Sequence, residues 1–309
     1  MGGTFSIGEA LGAAVRVIRR RPLAVFVWGL TMTLFSLVAS VVVFGSIADL
    51  PLGDAAAAEP PPEALERMMT LQGLSMLLNV GQLVLAVVIW TATMRAVLRL
   101  GRPERAFFMR LGMDELRLGV VGIALFAGTY IAVIILVLLG LAVGAVVWQA
   151  SEVFAGILGV VMVLGLIAAV VYAMARLSLI APATLILQRF AFVEGWTLAK
   201  GRVGSLLGLL VCTWVIYLLI YFVVAFALIV LAFGTGVFAH LSQSLDGMTL
   251  RDLLPSSGAL WGLVAILLLP GSFLYGAVMT LMCGPFAAAC RALLDGEPME
   301  AAPPSALGS

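Results

Sequence analysis

A chain of 309 residues that is 63% hydrophobic and only 11% charged is not a soluble globular protein, a class in which about 25% of residues are charged. Its formal net charge is +1, so overall charge selects no class of partner, and no nucleic acid is expected. Three cysteines, Cys212, Cys283 and Cys290, lie in or beside apolar runs without C-x-x-C spacing; they read as small buried hydrophobes, not as a metal or redox site.

Spanning a bilayer takes about 20 apolar residues in a helix. Six runs qualify, at roughly 22–48, 71–98, 116–148, 152–181, 203–239 and 258–292. They are continuously apolar and do not alternate, which points to helices and away from barrel strands. The expected fold is therefore an all-α membrane domain over 1–297, six spans paired into three hairpins, with Pro298–Ser309 as a disordered tail.

Taken in order, Phe5 to Arg21 reads as a short interfacial helix with Leu11, Ala14, Val15 and Ile18 on its apolar face and arginines at its end. The run after Arg19-Arg20-Arg21 is too long for a signal-peptide core, and no small-residue cleavage site closes it. Residues 49–70 are acidic and proline-rich; Pro62 suits a first helical turn, with Glu63 and Glu66 complementing the dipole there. Asn79 and Gln82 stand three apart on one face of the second span, where interhelical hydrogen bonds or a polar pathway lining are the two readings. Pro103 to Arg110 is a second, shorter interfacial segment. Gly140-x-x-x-Gly144 permits close helix approach, and 148–152 makes a tight turn.

The stretch from Arg176 to Arg202 mixes charge, aromatics and helix-stop signals between two long apolar runs. Phe190, Val193, Trp196 and Ala199 or Lys200 recur at helical spacing, with Glu194 near the start and Gly201 placed for a left-handed cap. A third interfacial helix is expected here, with Trp196 at headgroup depth. Pro182, Pro270 and Pro285 are positions where a helix kinks or ends. Residues 240–257 hold the one histidine, His240, and a short helix over Leu250–Leu254 capped by Thr249 and ended by Pro255.

Basic residues set orientation. Fifteen of the 17 flank the N-terminus, the 99–117 and 182–202 links and the end of the last span; Arg67 and Arg251 fall on the other side. Both termini are expected in the cytoplasm, in a bacterial inner membrane. The excess of arginine over lysine, 16 to 1, and the abundance of alanine and glycine fit a GC-rich bacterial genome.

Aligning the links on Glu9, Glu104 and Glu194 spaces them 95 and 90 residues apart, each followed by a basic residue at Arg16, Arg110 or Lys200. Arg95-Ala-Val-Leu and Arg291-Ala-Leu-Leu close the second and sixth spans, and Arg176-Leu-Ser-Leu the fourth less closely. This describes units of about 5–98, 100–181 and 190–292 as a pseudo-threefold parallel repeat.

Pro182, Glu194, Trp196 and the Lys200-Gly201 pair, over about 27 residues, together with the six-span pattern, give a family resemblance. The chain resembles the six-helix membrane domain that precedes the catalytic domain in some bacterial glycerophosphodiester phosphodiesterases, and its stand-alone relatives. The resemblance implies the fold. The phosphodiesterase half is absent, so no activity is implied.

No nucleophile–base–acid ordering, phosphate loop or cofactor motif is present, and the arginines cluster at helix ends where they can snorkel. Tyr130, Tyr172, Tyr217 and Tyr221 read as belt or packing residues. The residues set apart are the charges Glu9, Arg95, Glu104, Arg176, Glu194, Lys200, Arg202 and Arg291, plus Asn79 and Gln82. Glu194 is expected to tie to Arg176 or Arg202, and Glu9 and Glu104 to neighbours such as Arg291 and Arg95, because a partly desolvated carboxylate needs a partner and arginine grips it through two hydrogen bonds. The expected function is a non-enzymatic membrane module without cofactor or metal that binds membrane lipids or a membrane-protein partner. The rival is a transporter or channel for a small or lipidic substrate; an integral lipid enzyme is a weaker third.

The orientation is testable by single-cysteine labelling in a background lacking the three native cysteines. A cysteine at Ala57 is expected to react with an impermeant reagent added outside; reaction only after the inner face is opened contradicts it.

Overall fold

Inside a membrane every backbone N–H and C=O must find a partner within the chain, and long apolar runs do so as helices. The structure, a computed structural model, describes residues 5–47, 62–98, 108–109, 112–149, 151–234 and 258–296. Among them regular structure is helical: α1 Ile7–Arg20, α2 Pro22–Ile47, α3 Pro62–Leu98, α4 Met113–Trp148, α5 Glu152–Leu177, α6 Ile180–Leu187, α7 Phe192–Leu198, α8 Val203–Gly234 and α9 Gly258–Asp295. Six stretches are long and apolar enough to cross a membrane: Pro22–Val43, Met69–Leu98, Met113–Trp148, Glu152–Leu187, Val203–Val230 and Leu267–Asp295. By length and composition this is a multi-pass helical membrane protein. Glu104, the 49–61 and 240–257 loops with His240, and the tail after 297 lie outside the described residues.

Several boundaries follow from local chemistry. Pro22 and Pro62 open α2 and α3, where the missing N–H is no loss. Ser151 caps α5 by accepting from the Phe154 N–H, which closes the tight α4–α5 turn. Pro182 neither ends nor kinks the fourth span at its own position; it sits in the first turn of α6. The interruption falls at Ser178-Leu179, because a proline ring excludes the carbonyl four residues before it. Ser178 Oγ donates instead to the Ala175 carbonyl (2.8 Å). Pro270 and Pro285 lie within α9 without ending it.

The chain groups into two compact units. The first joins the N-terminal 16 residues, 91–213 and 283 onward. Its core gathers Ala175, Leu179, Ala183, Ala191, Leu198, Ala199, Leu206, Cys290 and Leu293, with a second cluster of Ala10, Leu209, Phe286 and Ala289. The buried face of α1 is Ala10, Ala13, Ala14 and Val17, partly rotated from the expected Leu11, Ala14, Val15 and Ile18 face: Ala14 is buried, Leu11 and Ile18 are half-buried and Val15 is exposed. Small side chains explain the rotation: a Cβ at Gly284 of α9 would lie 3.0 Å from Ala14 Cβ, so the helices meet where both are smallest. At Gly195 of α7 a Cβ would reach within 2.6 Å of Ile180 Cα, so only glycine lets α7 lie on α6.

The second unit covers 17–90 and 214–282. Here α2 and α9 cross backbone to backbone. A Cβ at Gly29 would overlap the Ser272 carbonyl, and one at Gly276 the Val25 carbonyl. Trp28 is fully buried beside this crossing in sequence. Thr33 and Thr280 return their hydroxyls to the Gly29 and Gly276 carbonyls (both 2.8 Å), which satisfies them in an apolar setting. The G-x-x-x-G stretch of α4 is not such a crossing: a Cβ at Gly140 would lie 3.1 Å from the flexible Met162 Cε, while one at Gly144 would meet open space.

Gly29→Ala and Gly276→Ala are each expected to lower stability by about 1–3 kcal/mol, the usual cost of overpacking. Gly73→Ala, at an open helical position, is expected to be neutral or to gain up to about 1 kcal/mol. Thermal unfolding in detergent separates the two classes.

Candidate functional site

Charge is costly in an apolar protein unless it is hydrated at a helix end or paired. Among the singled-out arginines, Arg95, Arg291 and Arg176 solve this in three different ways, all within the first unit.

Arg95 is the most enclosed. It projects from the last turn of α3 and is 5% exposed, as is Glu115 in the first turn of α4. Its Nη2 lies 2.5 Å from Glu115 Oε1 and 3.2 Å from Asp114 Oδ2. Its Nη1 donates to the Phe108 carbonyl (3.2 Å). Glu115 Oε2 also accepts from the Gly112 N–H (3.0 Å), half of a capping box that complements the positive helix end. Phe108 is buried with φ 63°, a conformation a bulky side chain rarely takes. The buried ring and the Arg95 bond to its carbonyl hold it there. Asp114 is shared with Arg117 at 3.9 Å. Arg95 thus meets Asp114 and Glu115, which the sequence reading did not single out; its expected partner Glu104 lies outside the described residues.

Arg291 donates to the Leu98 carbonyl at the end of α3 and lies 3.6 Å from Asp295 one turn on. It caps a helix end and does not meet Glu9. Glu9 is exposed on α1, where with Arg16, Phe5, Ala10, Ala13 and Ala289 it lines a groove of about 270 Å³. Among the described residues no carboxylate–arginine pair forms there.

Glu194 pairs with Arg189 at 2.8 Å. The expected tie is to Arg176 or Arg202; the carboxylate meets Arg189 instead. Gln188 ends α6 in the left-handed region (φ 56°), and that reversal returns Arg189 toward the first turn of α7. Arg189 is 66% exposed, so this is a wet pair. Arg176 instead lies over the Trp196 ring, 4.1 Å from its centroid, and Nη1 donates to Tyr172 Oη (3.1 Å). Its Nε is buried without a hydrogen-bond partner, and among the described residues Arg176 meets no carboxylate. Besides Trp196 (40%), α7 exposes Val193 (72%), and Phe190 just before the helix is exposed as well (51%). Gly201 takes the expected left-handed cap (φ 80°) after exposed Lys200, and half-buried Arg202 leads into α8.

Of the two intramembrane amides, Asn79 is exposed and donates to the Ser75 carbonyl of its own helix (2.8 Å), so it bonds to no other helix through that group; Gln82 is half-buried. Among the described residues no three His, Cys, Asp or Glu side chains converge as metal ligands.

Compared with protein-family models, curated proteins and solved structures, the chain matches none.

Arg95→Gln and Glu115→Gln are each expected to cost about 3–5 kcal/mol, since each leaves a buried partner uncompensated. Glu194→Gln is expected to cost about 0–1 kcal/mol, as for an exposed pair. Unfolding midpoints in one detergent give the comparison; equal losses at the two sites contradict it.

Proposed function

We propose that this chain is a non-enzymatic, multi-pass module of the bacterial inner membrane, with both termini in the cytoplasm. It binds phospholipid or a membrane-protein partner at its basic end and assists assembly or lipid handling. The observation that carries this reading is the α6–α7 segment. It presents Phe190, Val193 and Trp196 outward beside Arg189 and Lys200, an apolar surface edged by cations. Such a surface fits the boundary between acyl chains and headgroups, where aromatic rings and basic side chains both find their preferred surroundings. The amphipathic start of α1, with Glu9 and Arg16 exposed opposite its alanine face, supports the same reading.

Purification in a mild detergent followed by native mass spectrometry is the test. The protein is expected to retain phospholipid through purification and to turn over none. Retention of no lipid and no protein partner, or lipid turnover abolished by one substitution that preserves folding, contradicts the proposal.

A further inference from the structure

We propose that Arg176, lying on Trp196 and bonded to Tyr172, is the phosphate-binding residue of a headgroup site for an anionic phospholipid. This rests on the lipid-binding reading above and names the ligand class and the residue.

The argument starts from a missing counter-charge. A guanidinium that has lost part of its hydration needs an anion or a full set of acceptors. Arg95 has two carboxylates and a carbonyl, Arg189 has Glu194, and Arg291 has Asp295 and a carbonyl. Arg176 has a phenol oxygen, an aromatic face and, among the described residues, no carboxylate. Stacking on Trp196 and the bond to Tyr172 fix the plane of the fork, which leaves Nη2 free of any such partner and its orientation set before a ligand arrives. A planar fork held in place matches two oxygens of a phosphodiester.

The surroundings choose a lipid over a free ion. Arg176 is in the last turn of α5, one of the membrane-crossing stretches. Met174 near it in the chain is exposed and apolar, as are Phe190 just before α7 and Val193 and Trp196 on α7. Acyl chains have a surface to lie on while the phosphate meets the guanidinium. Charge then favours an anionic headgroup. Arg176, Arg189, Lys200 and Arg202 share the segment from 176 to 202 with one carboxylate, Glu194, which Arg189 already engages.

The test uses the full chain in nanodiscs or mild detergent. Native mass spectrometry would compare retention of phosphatidylglycerol and phosphatidylcholine by the wild type, Arg176→Gln, Arg176→Lys, Trp196→Phe and the control Arg19→Gln. The wild type is expected to prefer phosphatidylglycerol. Arg176→Gln is expected to lose about tenfold of that preference, the size of one charge-assisted hydrogen bond. Arg176→Lys keeps the charge but not the fork and is expected to lose several-fold. Arg19→Gln is expected to change little. If Arg176→Gln does not fold, Arg176→Lys and Trp196→Phe decide. Equal losses in Arg176→Gln and Arg19→Gln mean diffuse attraction and overturn the site while leaving lipid binding intact. Displacement of phosphatidylglycerol by millimolar inorganic phosphate overturns the lipid as ligand. A wild type that retains no lipid overturns both the site and the reading beneath it.

Discussion

One buried ion pair joins the end of α3 to the start of α4, and the local arrangement of both depends on it. Arg95 and Glu115 are each 5% exposed and 2.5 Å apart. Neither charge would be tolerable there without the other. The same guanidinium reaches Asp114 and the Phe108 carbonyl, and the same carboxylate reaches the Gly112 N–H. Three groups, the Phe108 carbonyl and the Asp114 and Glu115 carboxylates, are thus anchored to one side chain of α3, and the Gly112 N–H joins them through Glu115. Such a pair contributes less to net stability than an apolar replacement often would; what it contributes is a fixed geometry.

The other arginines at this end differ from Arg95 in what they leave unspent. Arg291 is used on a helix end, and Arg189 on a half-buried glutamate. Arg176 is positioned by aromatic groups, which hold a cation without neutralising it. The contrast separates charge that builds the fold from charge available to a ligand. Apolar surface follows a similar division. The α4–α5 hairpin exposes long rows such as Ile123, Phe126, Ile131 and Val160, Leu164, Ile167, which suits contact with acyl chains.

The sequence made the spans plain, because twenty or more uncharged apolar residues leave few alternatives to a membrane helix. Proline and glycine positions were legible too, as the start of α3 at Pro62 and the cap at Gly201 show. Partner choice was not. Pairing Glu194 with Arg176 or Arg202 looked to the neighbouring helix ends; the left-handed turn at Gln188 brought Arg189 nearer and left Arg176 to Trp196. Asp114 and Glu115 carried a signal that went unused: two carboxylates opening an apolar run, with Gly112 three residues before Glu115, are the pattern of a capped helix start. The α2–α9 crossing was hidden for another reason. Gly29 and Gly276 look like any of the 33 glycines until the helices are placed side by side.

The claim that the Arg95–Glu115 pair organises this end of the molecule is tested most directly by a double-mutant cycle. Arg95→Met, Glu115→Leu and the double variant would be unfolded in the same detergent. The account expects the double variant to lose at least about 2 kcal/mol less than the two single losses combined, because removing both charges leaves neither buried alone. Losses that add within about 0.5 kcal/mol would show the two residues to be independent and contradict it.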